Sequence, residues 1–122
     1  MFEFFKSKNK NENDQESIRI NFELEDQWSD LLELSQKQTV YIFKHSSRCG
    51  TSSIVLNRFE KQIKERNETY YFLHIQGYRS LSNWLSAELE IRHESPQLIV
   101  IKEGRVLAHD SHYGLLDILP KL

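Results

Sequence analysis

A chain of 122 residues with a formal charge of −2 is long enough to bury its own core and reads as a single domain. The balance of 16 Lys and Arg against 18 Asp and Glu leaves no field to recruit nucleic acid or an anionic membrane surface, so neither is expected as a partner. No apolar run reaches the length needed to span a bilayer. One cysteine excludes an internal disulfide, so any thiol chemistry must be intermolecular, and that suits a reducing compartment.

The start, Met-Phe-Glu-Phe-Phe-Lys, lacks the ordered basic, apolar and small-residue regions of a signal peptide, and the expected location is the cytoplasm. Residues 1–17 are expected to be a disordered polar tail, since Lys6 to Ser17 is rich in Asn, Lys and Glu without periodicity. Phe2, Phe4 and Phe5 ahead of it read as a frayed terminus rather than a docking tip. The domain is expected to run over residues 18–122. Ile18, Ile20 and Phe22 alternate weakly, enough for a short edge strand. Leu24, Trp28, Leu31 and Leu32 then mark an amphipathic helix, with Glu25, Asp26, Asp30 and Glu33 outward.

Thr39 to Phe43 has the β-branched and aromatic composition of a core strand. Lys44 to Arg48 reads as a polar connection. Helical spacing follows, with Val55, Phe59 and Ile63 four apart and Leu56 alongside. Tyr70 to Ile75 is a second strand. Ser80 or Ser82 is expected to cap a helix whose Leu81, Trp84, Leu85 and Leu89 share a face. Ser95-Pro96 stops it. Gln97 to Ile101 is apolar enough for a strand buried on both faces, and Glu103-Gly104 turns the chain into a fourth strand, Arg105 to His109. Leu115, Leu116, Ile118 and Leu119 suggest a short covering helix at the end.

This order, α, β, α, β, α, β, β, α, holds two β-α-β crossovers and a terminal hairpin. It describes an α/β domain with a central mixed four-stranded sheet flanked by helices. A thiol after the first core strand and a proline before the third match the thioredoxin-like plan, a likeness of fold that assigns no activity by itself.

Cys49 sits at the junction of the first core strand and its helix. A lone cysteine is ordinarily an inert buried hydrophobe. Here the unpaired N–H groups and positive dipole end of a helix start favour the thiolate, which is the nucleophile. Arg48, Lys44 and His45 make the neighbourhood cationic, and the small followers Gly50, Thr51 and Ser52 leave room for a partner's sulfur. Cys49 is therefore the expected catalytic residue. Thioredoxin-type enzymes carry a second cysteine three residues on, where this chain has Ser52. A serine hydroxyl can hydrogen-bond a thiolate but cannot resolve a mixed disulfide. An adduct on Cys49 must then wait for an outside thiol, which points to a cycle with a low-molecular-weight thiol. In the thioredoxin-like plan Pro96 is cis and faces the sulfur, while the backbone of Ser95 pairs with a substrate strand. The expected substrate-binding set is Arg48, Gly50, Thr51, Ser52, Ser95 and Pro96.

Phe43-Lys44-His45-Ser46-Ser47-Arg48-Cys49-Gly50-Thr51-Ser52, followed by His93-Glu94-Ser95-Pro96-Gln97, resembles the YtxJ-like monothiol bacilliredoxins. Lys102-Glu103-Gly104 and Ser111-His112 also fit, and the likeness covers the chain after the tail. The resemblance implies a thiol-disulfide oxidoreductase that removes bacillithiol from protein mixed disulfides. Cys49 would attack the bacillithiol sulfur, free the client thiol, and carry the adduct until a reductant or another thiol regenerates it. No bound cofactor is implied; bacillithiol is the co-substrate, and bacillithiolated client proteins and a low-molecular-weight thiol are the partners. Bacillithiol carries a malate group, which Arg48, with Lys44, is expected to engage. One departure is Gly50, where members of the family often carry proline, so the helix start is less rigid.

Cys49-Gly50-Thr51-Ser52 is also similar to the site of glutaredoxin-like arsenate reductases. Those need further arginines and a helical insertion before the proline, whereas about twenty residues here hold Arg79 and Arg92. Monothiol glutaredoxins that hold iron–sulfur clusters carry a glycine pair after the fourth strand, which this chain lacks. A non-catalytic thioredoxin-like adaptor is the remaining alternative. His45, His93, His109 and His112 show no fixed ligand spacing, so no metal site is expected, and His45 or His93 could instead tune Cys49.

Overall fold

The structure is a computed structural model that describes residues 18–122. The expected polar tail, with Phe2, Phe4 and Phe5, lies outside the described residues. The elements are strand β1 (Arg19–Asn21), helix α1 (Asp26–Leu34), β2 (Val40–His45), α2 (Gly50–Glu65), β3 (Tyr70–His74), α3 (Arg79–Leu89), β4 (Gln97–Lys102) and β5 (Arg105–Ser111). Two 3₁₀ segments, His112–Asp117 and Leu119–Lys121, close the chain in place of the single covering helix expected there.

β2 is buried along its whole length and is the middle of the sheet, whose order is β1-β3-β2-β4-β5. β1, β3 and β2 run parallel, and β4 and β5 are antiparallel to their neighbours. Successive side chains of a strand point to opposite faces, which divides the core in two. Tyr41 and Phe43 pack with Val55, Phe59 and Ile63 of α2, and with Leu98 and Val100 of β4. Val40 and Ile42 face Trp28 and Leu31 of α1 and Leu81 and Leu85 of α3, together with Ile99 and Ile101. The stripes read from helical spacing are the ones that supply these contacts.

The sheet has five strands, one more than the four of the expected core. The weak alternation of Ile18 to Phe22 does form an edge strand, paired with Tyr70–Phe72. Arg19 anchors it. Its guanidinium donates to Glu60 at 2.8 Å and to the Tyr70 hydroxyl at 2.9 Å, and lies 4.2 Å from the centre of the Phe72 ring. A second correction matters more for function. β2 continues through Lys44 and His45, because Lys44 pairs with Leu73 and Gln97 and His45 pairs with His74. Both residues are therefore core strand positions, not part of a polar connection. Nor does Ser80 or Ser82 cap α3: the N-cap position is Tyr78, with no side-chain capping bond. Among the described residues no helix is long and apolar enough to cross a membrane.

Candidate active site

Cys49 occupies the N-cap position of α2 in extended backbone conformation (φ −111°, ψ 114°), with a half-buried thiol. Its N–H donates to Ser46 O at 3.2 Å, and its carbonyl accepts from Ser52 N–H at 3.0 Å, closing the first turn. No side chain caps this helix start and its first turn carries no acid, so no local carboxylate offsets the positive end of the dipole. Gly50 is exposed, and a Cβ built there would meet nothing within 4 Å. Thr51 beside it is half-buried.

The loop before Cys49 is clamped from the end of β3. The side-chain oxygen of Gln76 accepts from Ser47 N–H at 2.8 Å and from the Ser47 hydroxyl at 3.2 Å. The Gln76 amide nitrogen donates to Ser46 Oγ at 2.9 Å. Arg48 is exposed, and its guanidinium has no ion pair or hydrogen bond among the described residues. Sequence reasoning missed Gln76, because nothing local in a loop residue marks a contact made across 29 positions.

Ser52 is 0% exposed. Its Oγ accepts from Ser46 N–H at 3.2 Å and lies 2.8 Å from Nδ1 of the buried His45. Among the described residues no hydrogen bond joins Ser52 to the Cys49 sulfur. Burial, then the neighbouring His74 and Arg19, push the His45 imidazole below its ordinary range and keep it neutral at pH 7. With one acceptor site taken by Ser46 N–H, the hydroxyl donates to an unprotonated Nδ1, and all three groups are satisfied.

Lys44 faces the other way. It is 0% exposed, and its ammonium donates to Ser82 O at 3.0 Å and to Ser86 Oγ at 2.8 Å on α3. Burial, helped by Arg79, lowers its pKa to about 8. Ser82 Oγ in turn lies 3.2 Å from His93 Nδ1, whose pKa is lowered by burial and by Lys44 and Arg79. Lys44 thus ties β2 to α3, and it is not available to an anion beside Arg48.

The Ser95-Pro96 bond is cis, as the thioredoxin-like plan implied. Pro96 is buried, and its carbonyl accepts from His112 N–H at 2.9 Å. Ser95 Oγ is buried without a partner among the described residues. Because Gln97 pairs with Lys44 near the C-terminal end of β2, the Ser95-Pro96 loop and the Cys49 loop stand at the same end of the sheet. Of the histidines, His45 meets Ser52, His93 meets Ser82, and His112 lies 3.7 Å from Glu94. Among the described residues no group of three His, Cys, Asp or Glu side chains is placed to hold a metal ion.

The family model described as monothiol bacilliredoxin BrxC matches residues 20–117. The chain belongs to that family. A solved protein described as having a thioredoxin fold is similar to this bacilliredoxin family member at 26% identity and TM-score 0.79, over 88% of this chain and 95% of that one. Thioredoxin O2 from Arabidopsis thaliana matches at 17% identity and TM-score 0.69, over 88% and 96% of the two chains. Thioredoxin from Trypanosoma brucei brucei matches at 12% identity and TM-score 0.69, over 86% and 88%. The two thioredoxins share the fold alone. Family and fold together make this bacilliredoxin family member a monothiol redox protein with a thioredoxin-like architecture.

Proposed function

We propose that the protein removes bacillithiol, or a similar low-molecular-weight thiol, from mixed disulfides on cytoplasmic client proteins, with Cys49 as the nucleophile. The carrying observation is a lone, half-buried cysteine at an uncapped helix start, with a buried serine three residues on. The Cys49 thiolate attacks the bacillithiol sulfur. A disulfide forms between Cys49 and bacillithiol, the client–bacillithiol bond breaks, and the client sulfur leaves as a thiolate that takes a proton from solvent. Two electrons move within the exchange, so no external oxidant enters. A second thiolate then attacks the bacillithiol sulfur, and Cys49 leaves as the thiolate.

Ser52 cannot perform that second step, having no sulfur, and its hydroxyl is engaged with His45 and Ser46. Gly50 and Thr51 leave the approach to the sulfur uncrowded, the main chain of Ser95 beside Pro96 pairs with the incoming substrate, and Arg48 engages the malate carboxylates. Lys44 takes no part in that contact. The test is intact-mass analysis after exposure to bacillithiol disulfide. Wild type gains one bacillithiol and Cys49→Ser gains none; an unmodified wild-type mass overturns the reading. Arg48→Glu slows turnover on a bacillithiolated client, and unchanged kinetics would remove Arg48 from the site.

A further inference from the structure

The carboxyl ends of the parallel strands β1 and β3 stand side by side, and the loops that leave them for α1 and α3 enclose a cavity of about 480 Å³. Glu23 and Glu25 contribute from the first loop, and Gln76, Gly77, Tyr78 and Arg79 from the second. The carboxyl ends of parallel strands are where α/β sheets hold small ligands. Gln76 joins this cavity to the thiol loop, since its side-chain amide also holds Ser46 and Ser47 through three bonds of 2.8, 3.2 and 2.9 Å. From Ser47 to Cys49 the chain spans about 7 Å.

Two observations narrow the ligand's chemistry. The first is an excess of positive charge at the start of α3. Arg79 is exposed, and among the described residues its guanidinium makes one bond, to Asn83 Oδ1 at 3.3 Å, and no ion pair, although Glu23 and Glu25 share its cavity. One turn further along α3, Ser82 O accepts from the Lys44 ammonium and Ser82 Oγ meets His93. Burial, and after it neighbouring cations that include Arg79, lower the pKa of both groups. Glu94 opposes this at His93, and no carboxylate does so at Lys44. An anion brought to Arg79 relieves that crowding.

The second observation is the pair of acids across the cavity. Glu23 faces the Tyr78 hydroxyl and raises its pKa. A bare anion would be repelled by Glu23 and Glu25, and an apolar ligand would strip them of water without replacing it. Hydroxyl groups satisfy such acceptors, while a carboxylate satisfies the guanidinium.

We infer that this cavity is the subsite for the non-sulfur body of the low-molecular-weight thiol, a hydroxyl-rich group that ends in carboxylates, and that Arg79 supplies the second cation expected of Lys44. The inference deepens the proposed function and rests on it for the identity of the ligand.

The binding arm adds S-methyl bacillithiol, which cannot exchange, to Cys49→Ser protein and follows the Gly77 amide and Arg79 Nε–H signals by NMR. The dimethyl ester of its malate group is the uncharged control. A saturable shift, weakened about tenfold by esterification and by Arg79→Met, supports the subsite. No saturable shift at Gly77, or equal affinity in Arg79→Met, overturns it. The kinetic arm compares the bacillithiol and mercaptoethanol mixed disulfides of one peptide. The wild-type preference for the bacillithiol disulfide should fall about tenfold in Arg79→Met, through KM rather than kcat, and return in part in Arg79→Lys. An equal preference in wild type and Arg79→Met overturns the subsite and leaves the exchange reaction standing. Saturable binding by a protein that exchanges neither disulfide retains the subsite and sinks the redox reading instead.

Discussion

Nδ1 of His45 and Oγ of Ser52 stand 2.8 Å apart, joining the end of β2 to the first turn of α2 inside the core. The position that carries a resolving thiol in dithiol relatives is thus a structural pin, which also receives the Ser46 N–H just before the Cys49 loop. Replacing Ser52 with Ala leaves Nδ1 of the buried His45 and the N–H of the half-buried Ser46 unmatched. The expected loss is about 2 kcal/mol in urea unfolding, read as a lower midpoint at unchanged slope. A loss near zero would show that the pair carries no stability.

His45 and His93 are both held below the ordinary histidine range, each mainly by burial. Below a pH of about 6.5 the unfolded chain takes up these protons before the folded one does, so stability falls as pH drops through that window. Each group contributes at most about 1.4 kcal/mol per pH unit. Urea midpoints measured from pH 7 to 5 should fall less steeply for His45→Gln and His93→Gln than for wild type. Parallel slopes would contradict the assignment.

Lys44 predicts the opposite end of the pH scale. Its pKa is lowered from 10.5 to about 8. Between those values the unfolded chain holds a proton that the folded chain does not, so wild-type stability attributable to Lys44 rises with pH across that window. Lys44→Met should therefore be more stable than wild type near pH 7, by about 1–3 kcal/mol, with the gap closing toward pH 10.5. A variant less stable than wild type at neutral pH would mean the bonds to Ser82 and Ser86 outweigh the burial of charge.

Glu90 ends α3 in the left-handed region at φ 57° and ψ 41°, with an exposed side chain. Glycine adopts this conformation without Cβ strain, so Glu90→Gly should add about 1 kcal/mol to the unfolding free energy. Thermal melts would register it as a rise in Tm. No rise would place the helix stop elsewhere.

Gln76 holds Ser46 and Ser47 through three bonds at the surface. Gln76→Ala should barely change global stability, by under about 1 kcal/mol, while amide exchange at Ser47 speeds up about tenfold. Unchanged exchange would mean the loop is held by other contacts.

The elements and the fold were legible from local pattern. Val55, Phe59 and Ile63 share one side of a helix whatever it packs against, and a strand followed by a polar turn and a helix start defines where Cys49 must sit. Lys44 and His45 show where this reasoning stops. A lysine and a histidine after five strand residues look like a loop, since sequence reports polarity but not whether a neighbour supplies Ser82 O or Ser52 Oγ. Gln97 is similar: an amide at the start of an apolar run carries no local sign that one of its atoms will be buried without a donor.

The order of amino acids by itself determined the α/β alternation, the monothiol character and the place of the thiol at a helix start, because these depend on side-chain spacing and on which residue follows which. The tertiary structure alone decided that Ser52 is pinned to His45, that Lys44 turns away toward α3, and that the cis Ser95-Pro96 loop stands at the same end of the sheet as the Cys49 loop. Lys44 meets its α3 partners across 38 and 42 positions, and the Ser95-Pro96 loop is placed by the register of β4 on β2; His45 and Ser52 are seven residues apart and meet because the chain turns from β2 into α2.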